Sequence, residues 1–273
     1  MREYTSFLAS QIQAYASFQK VSDRFGTTWE TSLFLFDNHL KTDYPNATEL
    51  SQEMVDSWCG QRETEINNSC ISRVNAIVGL IRYLRQRRLT TVSEPVLPRK
   101  ERSTYIPHAF TETELANFFR ACDEIPDLPK TKRYASRRIL VPVFFRLLYS
   151  SGIRTCEARM LRTEDVDLVH GILNIRLSKG TAQHYVALHD SMVEILKQYD
   201  TAIRKYHPER IYFFPTKFGS FPSRCWVQDN FRAMWNKYNN AYTTAYELRH
   251  NYAVENINSW TDEGFGFDAK LLY

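Results

Sequence analysis

The sequence predicts a mainly α-helical chain with a small antiparallel β-sheet, divided into a helical N-terminal domain and a second domain of α+β type. Three observations carry that prediction. Apolar residues in the first third recur at three- and four-residue intervals. A proline-rich break interrupts this pattern after residue 90. Beyond the break, two short alternating stretches sit among further helical segments.

In the first third, Tyr4, Leu8, Ile12, Tyr15 and Phe18 fall on one helical face, and Trp29, Leu33, Phe36 and Leu40 repeat the spacing until Asp43-Tyr44-Pro45 ends it. A shorter segment carries Leu50, Met54, Val55 and Trp58. The fourth is the clearest: Ile71, Val74, Ile77, Val78, Ile81 and Leu84 form an apolar stripe, and the other faces and the end hold Arg73, Arg82, Arg85, Arg87 and Arg88. Arginines on a helix face are commonly solvated. Five on one element with few acids nearby also suit a polyanion, because each guanidinium donates paired hydrogen bonds to phosphate oxygens.

Pro95, Pro98 and Pro107 then bar helix continuation, so residues 93–108 are expected as a linker between domains at 1–92 and 109–273. Thr111-Glu112-Thr113-Glu114 is a capping box that opens a helix. A helix after Ser136 reaches Ser150 with Gly152 as its stop, and Pro142 implies a kink or a late start. A short helix follows over Thr155–Leu161. Residues Ile172–Leu177 and His184–Leu188 alternate as two strands around the turn Ser178-Lys179-Gly180-Thr181. Further helices are expected over Ser191–Tyr206, Ser223–Tyr238 and Tyr246–Asn256.

Composition limits the function classes. With 273 residues and 43% hydrophobic content the chain can build two cores. The net charge of +4 is too small to identify a nucleic-acid partner by itself, so the placement of the charge has to do so. The five cysteines lack CxxC spacing, which argues against a zinc knuckle or disulfide framework and suits reduced thiols in a cytoplasmic protein. The N-terminus has no apolar signal core, and the longest apolar stretch, Ile139–Tyr149, is interrupted by Pro142 and Arg146 and is too short to span a bilayer. No membrane partner is expected.

Three motifs carry chemistry. Leu148-Tyr149-Ser150-Ser151-Gly152-Ile153-Arg154-Thr155-Cys156-Glu157 ends a helix at glycine and leads through an arginine into the next. Leu177-Ser178-Lys179-Gly180-Thr181, followed by Tyr185-Val186-Ala187-Leu188, places a lysine at a hairpin turn. Tyr246-Glu247-Leu248-Arg249-His250 lies on a late helix. In kind, order and approximate spacing these resemble the three boxes of the tyrosine recombinase (phage integrase) family, over Phe110 to about Leu272. The N-terminal helices fit that family's core-binding, SAM-like domain by length, position and helical character.

The resemblance implies a site-specific DNA recombinase or integrase, which cleaves and rejoins double-stranded DNA through a 3′-phosphotyrosyl link without metal or nucleotide cofactor. It also implies self-association on paired DNA sites. Arg154 and Arg249 would grip the scissile phosphate, Glu157 would hold the fold, Lys179 would act as general acid, and His250 would support as base or donor. Arginine suits this work because its planar fork stays charged and meets the negative charge built up on the phosphate.

Tyr246 stands where the family's box commonly begins with histidine; its hydroxyl can donate to phosphate but accepts protons poorly near neutral pH. The family's nucleophilic tyrosine follows a Leu-Gly-His-like turn, which this sequence lacks. Tyr273 is therefore not assigned as nucleophile, and the chain is expected to stop before it. A non-catalytic DNA-binding remnant stays open on this ground, as does a type IB topoisomerase-like enzyme. A metal-dependent nuclease using Glu164, Asp165 and Asp167 is a further alternative, although Glu-Asp-x-Asp before a strand is more often a turn.

Overall fold

The computed structural model describes residues 2–22, 25–102, 105–126, 132–176, 183–216 and 219–262. The chain divides into two compact units, Met1–Thr104 and Tyr105–Tyr273.

The first unit consists of four helices: α1 (Ala9–Val21), α2 (Thr27–Asp43), α3 (Gln52–Cys59) and α4 (Asn67–Gln86). Their apolar faces meet in one core, in which Ile12, Leu33, Phe36, Leu40, Val55, Val74, Ile77, Leu80 and Ile81 are completely enclosed. Burial of each such side chain contributes on the order of 1.5–3 kcal/mol.

Tyr4 and Leu8 are buried as predicted, but they precede α1 rather than lying on it. The reason is Asp37, buried within α2, whose carboxylate accepts from the Thr5 amide at 2.7 Å and from the Ser6 amide and hydroxyl at 3.1 and 2.6 Å. Those donors compete with helix formation ahead of Ala9.

Arg73 departs from the phosphate-contact expectation. Its guanidinium is tied to Glu65 at 2.6 Å and donates to the carbonyls of Trp58 and Gly60 at 2.6 and 2.9 Å, and it lies over the Trp58 ring. With the side chain only 11% exposed, it braces the α3–α4 loop from within.

The same bond holds the Glu65 carboxyl at about 2, well below its ordinary value. A depressed carboxyl contributes stability above its unfolded value, and that contribution is lost as pH falls through the folded one. Acid unfolding of the first unit between about pH 4.5 and 2 is therefore expected to lose on the order of 2–3 kcal/mol from this pair. Glu65→Gln should flatten that limb of the stability–pH curve in urea titrations. An unchanged limb would remove the pair from the account.

The second unit opens with α5 (Glu112–Asp123), where Thr111 and Glu114 form the capping box the sequence predicts. Helix α6 (Lys132–Ser151) follows, then α7 (Thr155–Met160). A single 3-10 turn at Thr163–Asp165 leads into β1 (Val166–Asp167), β2 (Ile172–Ile175) and β3 (His184–Ala187). The last helices are α8 (Asp190–Arg204), α9 (Arg224–Trp235) and α10 (Glu247–Asp262).

The strands form one antiparallel sheet in the order β1-β2-β3, with Ile172 opposite both Asp167 and Ala187. The strand β1 adds to the two expected. It is two residues long, too short for alternation to show, and it is set by the turn that Asp167 closes with the Val169 and His170 amides at 2.9 and 3.0 Å.

Pro142 does not delay α6, which starts ten residues earlier and continues past it. Val141, Phe144, Phe145, Leu147 and Leu148 are enclosed around it, and this packing outweighs the lost backbone bond. Helix α6 is the axis of the core. Its phenylalanines meet Phe118, Phe214 and Phe231 edge-on or tilted at 5.2–5.7 Å between ring centres. No helix among the described residues is long and apolar enough to cross a membrane.

Candidate active site

The site begins where α6 ends. Gly152 takes φ +63° and its amide returns to the Leu148 carbonyl at 3.1 Å, which terminates the helix and turns the chain toward Arg154. A second constraint acts on the same glycine: a Cβ there would lie 2.2 Å from the Tyr252 ring of α10. Helix α10 therefore seats directly on the turn.

Arg154 is the N-cap residue of α7. The Glu157 carboxylate accepts from the Arg154 amide with one oxygen and from its guanidinium with the other, both at 2.7 Å. Glu157 is fully enclosed, while the Arg154 side chain keeps 31% exposure. The bond raises the Arg154 pKa further above its ordinary value and fixes the direction of the fork.

Arg249 reaches the same turn from α10. Its guanidinium donates to the Gly152 carbonyl at 2.5 Å, two residues before Arg154. Tyr246 stands one helical turn from His250, and their rings meet edge-on at 5.0 Å. The Tyr246 hydroxyl is near enough to Arg154 to act on its charge, and the residue is 46% exposed. The structure thus brings Arg154, Arg249, Tyr246 and His250 to one turn. Lys179 lies outside the described residues, as does Tyr273.

Two residues behind the site carry no signal in the sequence. Tyr252 fixes how closely α10 approaches Gly152, a contact that only the folded chain creates. Glu247 is enclosed; one carboxylate oxygen accepts from Tyr105 and from Thr244, while the other has no hydrogen-bond partner among the described residues. It ties the first turn of α10 to the first residue of the unit.

The α4 arginines divide by environment. Arg82 pairs through two donors with Glu94, at 3.0 and 2.8 Å, and remains more than half exposed. Arg87 lies 3.6 Å above the Tyr83 ring. Arg88 takes φ +57° as the left-handed residue that stops α4, where the Leu89 amide closes onto the Leu84 carbonyl. Arg85, Arg87 and Arg88 are in no ion pair among the described residues, whereas Arg73 is committed to Glu65.

The acidic run behaves as a turn. Asp165 is paired with Arg176 at 2.5 Å, and Asp167 accepts from the amides that follow it. Among the described residues no cluster of three or more His, Cys, Asp or Glu could hold a metal ion.

The second unit is thus a mainly helical fold with a three-stranded antiparallel sheet, and it carries two arginines at the junction of α6 and α7. Residues 109–263 match the phage integrase family, and the chain belongs to that family. It is 29% identical over 174 residues to a putative integrase/recombinase, y4rE, of Sinorhizobium fredii, covering 60% of this chain and 53% of that protein. It is 36% identical over 81 residues to the tyrosine recombinase XerD of Staphylococcus saprophyticus, covering 30% of this chain and 25% of that protein. The chain thus spans about half, or less, of the length of these curated relatives.

Among solved structures, the XerH site-specific recombinase bound to its difH substrate superposes with a TM-score of 0.64 at 17% identity, over 87% of this chain and 70% of that one. A lambda integrase (75–356) dimer bound to a COC′ core site gives 0.58 at 14%, over 90% and 88%. At these identities the likeness is one of fold.

Proposed function

We propose that this chain acts on double-stranded DNA as a site-specific recombinase, with Arg154 and Arg249 holding one phosphodiester between them. The observation that carries this reading is the Gly152 turn, which fixes both guanidiniums: Arg154 through Glu157, and Arg249 through the Gly152 carbonyl. Two fixed forks meet the charge that develops on the non-bridging oxygens without reorganising at the moment of reaction.

In the proposed step a tyrosine phenol gives its proton to His250 as base while its oxygen attacks phosphorus, the bond to the 5′ oxygen breaks, and Lys179 gives that oxygen its proton. Attack by a 5′ hydroxyl on the phosphotyrosyl bond reverses the step and rejoins the strand. Tyr246 is a donor to the phosphate oxygens, His250 supports as base or donor, and the attacking phenol is left without a residue number. Residues 1–92 serve as the core-binding domain and 109–273 as the catalytic domain, with 93–108 linking them. Arg82, Arg85, Arg87 and Arg88 contact phosphates along the duplex, while Arg73 keeps its internal role. Copies of the chain associate on paired sites.

The test is a pool of nicked suicide duplexes of randomised sequence, incubated with the protein and resolved under denaturing conditions. An adduct that survives detergent supports the enzyme. Binding without an adduct supports a non-catalytic DNA-binding protein instead, and absence of binding overturns the DNA reading.

A further inference from the structure

Arg159, on α7, is a buried cation without a counter-ion among the described residues. It is 8% exposed, yet its only hydrogen bond among the described residues runs from Nε to the Pro222 carbonyl, at 2.5 Å, with the Phe221 ring 5.5 Å from its guanidinium carbon. Arg73 and Arg210, which are placed as deeply, are each paired with a carboxylate, Glu65 and Asp200 respectively. Burying an unpaired charge is costly, so a guanidinium kept in this state calls for an anion that arrives from outside.

Its surroundings sharpen the point. Arg224, exposed at the first position of α9, is near enough to repel Arg159's charge, and with burial it lowers that group's pKa. Helix α9 carries no acidic residue in its first turn, so the positive end of its dipole adds to the two cations rather than offsetting them. A cation at a helix N-terminus is itself unfavourable there. Three like contributions thus converge on one spot. Arg154 caps the start of α7 and Arg159 sits in the last turn of the same six-residue helix, which places this spot near the proposed scissile-phosphate site.

We infer that Arg159 and Arg224 form a second phosphate-binding position, which takes a backbone phosphodiester flanking the one held by Arg154 and Arg249. The inference rests on the DNA reading above and adds to it a contact that fixes how the strand lies across the catalytic unit. The Pro222 carbonyl takes only the Nε donor and the Phe221 ring stands by the guanidinium, so the phosphate would take its remaining donors.

Each phosphate contact releases condensed counter-ions, so the slope of log affinity against log salt reports the number of contacts, at about 0.9 per contact. Binding of a random-sequence duplex by the full chain would be measured across salt concentrations for wild type, Arg224→Ala, Arg159→Leu and Arg154→Ala. Arg224→Ala and Arg159→Leu should each reduce the slope by up to about 0.9.

Arg159→Leu should also melt at or above the wild-type temperature, because it removes an unpaired buried charge. If wild type binds with a steep slope that Arg154→Ala lowers, while Arg224→Ala leaves slope and affinity unchanged, the second position is overturned and the DNA reading stands. If wild type shows no salt-dependent binding, both fall. If Arg159→Leu does not fold, Arg159 is structural and the pair is overturned, unless Arg224→Ala alone lowers the slope.

Discussion

Arg154→Ala is expected to slow strand cleavage by about 10²- to 10³-fold, the usual loss when one preorganised donor to a developing oxyanion is removed. Arg249→Ala should lose a similar factor. The rate would be read in single turnover on a nicked duplex recovered from the randomised pool. Because Glu157 is fully enclosed, the alanine also removes the guanidinium that neutralises a buried carboxylate, so stability falls with it. Arg154→Lys separates the two effects. A lysine ammonium can still neutralise Glu157 but lacks the fork, so stability should largely return while cleavage stays low. A rate within tenfold of wild type for Arg154→Ala would remove that residue from the phosphate.

Gly152→Ala is expected to destabilise the second unit by about 2–4 kcal/mol, from the left-handed backbone and the overpacking together. For a unit of this size that lowers Tm by about 5–15 °C. The new methyl would sit 2.2 Å from the Tyr252 ring, so α10 has to withdraw or the ring has to leave its rotamer. Adding Tyr252→Leu should recover the packing part and leave the backbone part, a coupling that a double-mutant cycle in urea reads directly. Full additivity of the two substitutions would show that the ring contact carries no energy.

Much of the architecture was legible because its signals are local. The capping box at Thr111, the glycine that stops α6 and the alternation over β2 and β3 each depend on a few neighbouring residues, and each formed. The failures are non-local. Pro142 is tolerated inside α6 because aromatic side chains from α5, α9 and the Phe213–Phe214 segment pack around the helix, which no window of sequence displays. Arg73 had the same local appearance as Arg85, and only the folding back of Glu65 distinguishes them.

The candidate site was legible in its two arginines and in Tyr246 and His250, which stand four residues apart at the start of α10. Its supports were not. Tyr252 and Glu247 act through contacts with Gly152 and Tyr105, far away in the chain.

The bond between Arg249 and the Gly152 carbonyl joins residues 97 positions apart. During synthesis the earlier arginine emerges long before its counterpart, so a nascent chain has only half of the clamp. The turn therefore gains its second arginine only when α10 docks onto it.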